Sequence, residues 1–173
     1  DEIDKAPAEF SSDILNEIER SYFRIPEWDG AREIRAERSA SPIVVITSNS
    51  GRQLPDAFVR RCIFYHIPEI EEQRLRELTM RRLVGMSLSN GALLDDAVVL
   101  FFKLRSEDAD LRKRPSTAEF LSFITALLSD PDVESDRRLS HTAASKYLVT
   151  LVKSPEDQYT AHQIARQLLA GAP

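Results

Sequence analysis

The sequence predicts an α/β fold in which a partial parallel sheet is followed by an all-α part, with the division near Pro68. Three observations carry this expectation. Ile43-Val44-Val45-Ile46-Thr47 is an unbroken β-branched run of the kind found in strands buried on both faces of a parallel sheet. Cys62-Ile63-Phe64-Tyr65-His66-Ile67 reads as a second strand, ended by Pro68. Beyond Pro68 the apolar residues recur at helical spacing and no convincing strand follows.

Taken in order, Phe10, Ile14, Leu15 and Ile18 share a helical face, and Pro7 stands near the first turn, where a helix tolerates proline, so a helix is predicted over roughly residues 8–20. Tyr22 to Ile25 and Arg32 to Arg38, separated by Asp29-Gly30, read as a β-hairpin, with Pro26 at its edge or breaking it. Pro42 leads into the central strand, which ends at the polar loop Ser48-Asn49-Ser50-Gly51. Ligands of open α/β sheets gather at such carboxyl ends of strands, which singles out Asn49. Leu54 to Arg61 suggests a short helix before the second strand.

In the second part Leu75, Leu78 and Leu83 mark a helix over about 71–85, with Glu71 and Glu72 favourably near its positive end. Val98, Phe101 and Phe102 mark another. Ser116-Thr117-Ala118-Glu119 has the spacing of a capping box, in which hydroxyl and carboxylate satisfy each other's free backbone donors, so a helix starts there and runs through Leu128. After a loop from Ser129 to Ser135, two more helices are predicted near 140–152 and 155–169, the latter opened by Ser154-Pro155 and closed by Gly171.

Composition narrows the function classes. With 42% hydrophobic and 29% charged residues the chain is an ordinary globular sequence, and a formal net charge of −5 lacks the electrostatic footprint of a nucleic-acid binder. No run approaches the ~20 apolar residues that span a bilayer. Cys62 is the sole cysteine, which excludes an internal disulfide and fits a reducing, cytoplasmic setting. His66, His141 and His162 are scattered, and neither His-Glu-x-x-His nor Gly-x-Ser-x-Gly occurs. Trp28, near the hairpin tip, is either a packing residue or a partner contact.

The chemistry-bearing residues fall into a familiar order. Asp1-Glu2-Ile3-Asp4-Lys5-Ala6-Pro7 resembles the Walker B motif of AAA+ ATPases, especially the MoxR-like group. The helix, hairpin and buried strand ending at Asn49 are similar to the elements between Walker B and sensor 1 in that family. Leu54-Pro55-Asp56-Ala57-Phe58-Val59-Arg60-Arg61 resembles the segment that ends in the family's arginine finger. The resemblance implies that residues 1–68 are the C-terminal part of a AAA+ α/β nucleotide-binding subdomain and residues 69–173 its all-α helical lid.

It also implies roles and ligands. ATP and Mg²⁺ are the expected cofactors, with Asp1 holding the metal through its water shell, Glu2 polarising the attacking water and Asn49 bonded to that water or to the γ-phosphate. Arg61, or neighbouring Arg60, would act on the nucleotide of the adjacent protomer in a homo-oligomeric ring, a hexamer by family resemblance. Family members present a sensor 2 arginine from a lid helix where this chain has Thr117 or Ala118; Arg114 or Lys113 stands nearby as a substitute or as a solvated approach to the helix.

None of the five glycines belongs to a Gly-x-x-x-x-Gly-Lys-Ser/Thr phosphate loop, so the nucleotide-cradling half of the module is expected upstream and the chain alone is expected to be inactive. MoxR-like proteins often work with von Willebrand A-type partners in maturing client proteins, which implies ATP-driven remodelling. A non-enzymatic docking or regulatory module derived from the same fold is the alternative. Neither reading calls for nucleic acid or membrane.

Overall fold

The computed structural model describes residues 1–7, 9–28, 32–37, 43–49, 54–86 and 91–170. The hairpin tip Asp29-Gly30, Pro42, the Ser50-Gly51 end of the loop and the helix stop at Gly171 lie outside them. The chain separates into two compact units, Asp1–Ile67 and Pro68–Pro173. It is mostly helical.

The first unit opens with a 3-10 turn, Ile3–Lys5, followed by α1, Phe10–Arg20. Strands β1, Tyr22–Ile25, and β2, Arg32–Arg35, pair antiparallel as a hairpin, with Phe23 opposite Ile34 and Tyr22 opposite Arg35. A short helix, α2, covers Asp56–Val59. The Glu33 carboxylate pairs with the guanidinium groups of both Arg24 and Arg35 on the hairpin, a surface arrangement that adds little stability.

The parallel sheet expected here is not formed among the described residues, whose only sheet is the β1–β2 hairpin. Residues 43–49 and 63–70 carry no strand assignment. The physical reason is the lack of partners among the described residues: a strand is defined by ladder bonds to neighbours, and between described residues the 43–49 segment has one backbone bond of that kind, from Ile3 N to Thr47 O at 3.0 Å. Its side chains are correspondingly bare. Ile43 is 94% exposed and Val45 79%, while Ile63 is fully exposed and Phe64, Tyr65 and Ile67 exceed 70%.

The second unit consists of five α-helices among its described residues: α3, Glu72–Arg82; α4, Ala92–Arg105; α5, Thr117–Leu128; α6, His141–Leu151; and α7, Pro155–Leu169. Their apolar faces close a single core around Leu94, Phe101, Phe120, Phe123, Leu127 and Leu148, each fully buried. The Phe101 and Phe120 rings meet at 5.0 Å between centroids, and Phe102 meets Phe101 edge-on at 5.4 Å. The capping box is present as spelled: Ser116 Oγ accepts from Glu119 N at 3.3 Å and Glu119 Oε2 accepts from Ser116 N at 2.8 Å.

Buried carboxylates fasten the loops of this unit to its helices. Asp96 on α4 accepts from Leu139 N at 3.0 Å and from Arg138 Nε at 2.7 Å. Asp157, in the first turn of α7, accepts from the backbone N–H groups of Arg112 and Lys113, both at 3.0 Å. Each has the hydrogen-bond partners that burial of a carboxylate demands. Among the described residues no helix is long and apolar enough to cross a membrane.

Candidate functional site

The local structure of the first seven residues is set by two apolar and polar anchors. Ile3 is buried, 6% exposed, and Asp4 beside it is 9% exposed, so the 3-10 turn is pinned while Asp1 and Glu2 stay at the surface. Glu2 takes a left-handed conformation, φ 50° and ψ 51°, which is uncommon for a residue with a side chain and costs of order 1 kcal/mol. Three contacts to one residue hold it there.

Thr47 supplies all three. Its hydroxyl donates to the Asp1 carboxylate, the same oxygen accepts from Glu2 N at 3.0 Å, and its carbonyl accepts from Ile3 N at 3.0 Å. Two residues on, Asn49 donates from Nδ2 to Glu2 Oε1 at 3.0 Å and from its backbone N–H to Asp4 Oδ1 at 3.0 Å. The structure therefore brings Asp1, Glu2 and Asn49 to one place, although more than forty residues of chain separate them. The Asp4 carboxyl is held below the ordinary carboxylate range chiefly by the Asn49 N–H, with its own backbone, the Ser48 hydroxyl and the Lys5 charge assisting against desolvation.

The two arginines do not join this cluster. Arg61 pairs through Nε with Glu19, near the end of α1, and donates from Nη1 to the Ala57 carbonyl at 2.8 Å. Its side chain is about half exposed, 49%. Arg60, one residue earlier, is exposed, and no hydrogen bond or ion pair joins its side chain to another described residue. Phe58, 2% exposed, is the apolar anchor that orients this short helix.

The sensor 2 candidates lie in the second unit. Arg114 is exposed just ahead of α5. Glu69 is held below the usual carboxylate range, first by Arg105, whose Nη2 lies 2.9 Å away, and to a lesser degree by Arg114. Lys113 points instead at Glu119, 3.9 Å away, a carboxylate that Lys153 also approaches at 3.9 Å. Thr117 occupies the first turn of α5.

Among the described residues no group of three His, Cys, Asp or Glu side chains gathers as a protein-only metal cage. The donors around Asp1 are hard oxygens, a carboxylate and the Thr47 hydroxyl, which suits a Mg²⁺ ion that keeps most of its waters and shares the rest with phosphate. Thr47, Asp4 and Glu19 were not singled out by sequence reasoning. The only local signals were a threonine closing a β-branched run and an aspartate three residues after Asp1. No family model, curated protein or solved structure matches the chain.

Proposed function

We propose that this chain is the Walker B to lid portion of a MoxR-like AAA+ ATPase that couples ATP hydrolysis to the remodelling or maturation of client proteins. The observation that carries the reading is the Glu2–Asn49 contact beside Asp1: a general base, a polar group able to orient water and a metal-binding carboxylate in one surface cluster. Glu2 takes the proton of the attacking water at the carboxylate oxygen that Asn49 leaves free. Asn49, with its carboxamide already aimed at Glu2, orients that water. Asp1 would hold Mg²⁺, which when bound would supply neutralisation of phosphate charge. Arg61 reaches the nucleotide of the next protomer in a homo-oligomeric ring, a cytoplasmic hexamer by resemblance, working with a von Willebrand A-type or client partner.

A second observation supports a divided module. Among described hydrophobics the first unit buries only Ile3 and Phe58, while Ile43, Val45, Ile63, Phe64, Tyr65 and Ile67 stay open to solvent. Apolar exposure on that scale marks a surface that another polypeptide segment covers. In this reading the cover is the half of the module that carries the phosphate-binding loop. The alternative, a docking or regulatory module without catalysis, draws on Thr117 and Ala118 at the sensor 2 position and on Lys113 being engaged with Glu119. The deciding experiment replaces Glu2 in the intact ATPase: Glu2→Gln is expected to bind ATP with wild-type affinity and to lose turnover. Unchanged hydrolysis refutes the assignment.

A further inference from the structure

Asp4 is a carboxylate that the proposed chemistry does not use, yet it is 9% exposed, next to a surface cluster of exposed polar residues. Withdrawing a carboxylate from water is costly unless hydrogen bonds replace the lost hydration. The replacement here is specific. Asp4 Oδ1 accepts from the backbone N–H of Asn49 at 3.0 Å, and the Ser48 hydroxyl adds to the same environment. Both donors belong to the two residues that follow Thr47, where the chain leaves its extended run and turns polar.

We infer that Asp4 is a positioning residue: by fixing the backbone of Asn49 it sets the carboxamide of Asn49 on Glu2. The relay is short and continuous. Asp4 holds Asn49 N, Asn49 Nδ2 holds Glu2 Oε1, and Glu2 N is held by Thr47 Oγ1, with all three distances 3.0 Å. Tying the amide of Asn49 fixes where its Cα sits and leaves two side-chain torsions to aim the carboxamide. Thr47 fixes Glu2 from the opposite side. Without Asp4 the Asn49 end of this relay has no other anchor among the described contacts, because the Asn49 amide makes no second hydrogen bond.

The inference rests on the reading of Asn49 and Glu2 as a catalytic pair, and its test separates the two ideas. In the chain itself, amide hydrogen exchange at Asn49 reports the Asp4 contact without any activity. The amide is expected to be protected in the wild type and in Asp4→Asn, which retains an oxygen acceptor, and to exchange about tenfold faster or more in Asp4→Ala. An unprotected Asn49 amide in the wild type, or protection unchanged in Asp4→Ala, overturns the positioning role. Should Asp4→Ala fail to fold, Asp4→Leu, close to aspartate in shape but without an acceptor, decides the matter: faster exchange at Asn49 is expected, and unchanged protection overturns the positioning role.

In the intact ATPase, Asp4→Ala is expected to lower kcat by about tenfold or more with KM for ATP little changed, and Asp4→Asn to restore most of it. A rise in KM with kcat intact overturns the inference. Full turnover by Asn49→Ala while the amide at position 49 remains protected by Asp4 removes the catalytic role given to Asn49 and leaves the backbone contact to Asp4 standing.

Discussion

Lys146 Nζ lies 2.7 Å from Oδ2 of Asp130, a residue only 7% exposed in the loop between α5 and α6. Tyr147 donates its hydroxyl to the same oxygen at 2.8 Å, and Asp132 N caps the other at 3.1 Å. The three donors together hold the Asp130 carboxyl at about 2, and the Lys146 ammonium is raised in return.

This contact makes the second unit acid-sensitive in a defined window. A carboxylate depressed from 3.8 to about 2 contributes stability that is fully present above pH ~4 and is lost as pH falls toward ~2. Thermal melts followed by circular dichroism are expected to show the midpoint falling across that range. Asp130→Asn is expected to melt lower at pH 7 and to approach the wild type at pH 2; parallel curves at all pH values would contradict the assignment.

Phe101 is fully buried, in ring contact with Phe102 and Phe120. Phe101→Ala is expected to cost about 3–5 kcal/mol, because a ring-sized cavity among rigid helices closes only in part. Val84, 82% exposed, supplies the contrast: Val84→Ala is expected to change stability by no more than about 0.5 kcal/mol. Urea denaturation of the two variants measures both.

Arg61 tests action between subunits. In the proposed ATPase, Arg61→Ala is expected to reduce turnover by about a thousandfold, the scale of a lost arginine finger. Mixing it with Glu2→Gln subunits is expected to recover part of the activity, since some interfaces then pair a normal Glu2 with a normal Arg61. Absence of recovery, with mixed rings confirmed by native mass spectrometry, would place Arg61 in its own subunit's chemistry or outside chemistry altogether.

How legible each feature was depends on the range of the interaction behind it. The Ser116–Glu119 capping box and the Pro155 helix start need only neighbours three or four residues away, and both stand where the sequence places them. The hairpin also followed from local pattern, two short runs around a turn. Asp96, Asp130 and Asp157 were invisible because a lone aspartate near a helix end looks solvated until its distant donor is known; for Asp96 and Asp157 that donor is more than forty residues away. Thr47 and Asp4 were missed for the same reason, although Glu2 and Asn49, which they hold, had been singled out by motif. The run from Ile43 was read as a buried strand from its composition alone. Composition reports what a segment is suited to, whereas a ladder requires a second strand.

The bare side chains of Ile43, Val45, Ile63 and Phe64 have a consequence for timing. Extended apolar chain with unpaired backbone groups accepts any strand that reaches it first, including the same segment of another copy. In the proposed divided module, assembly is therefore a race between the covering half and self-association. The intended partner wins most readily when it is tethered nearby, since effective concentrations across a short tether reach the millimolar range. For the proposed module, order of encounter then bears on yield alongside final stability.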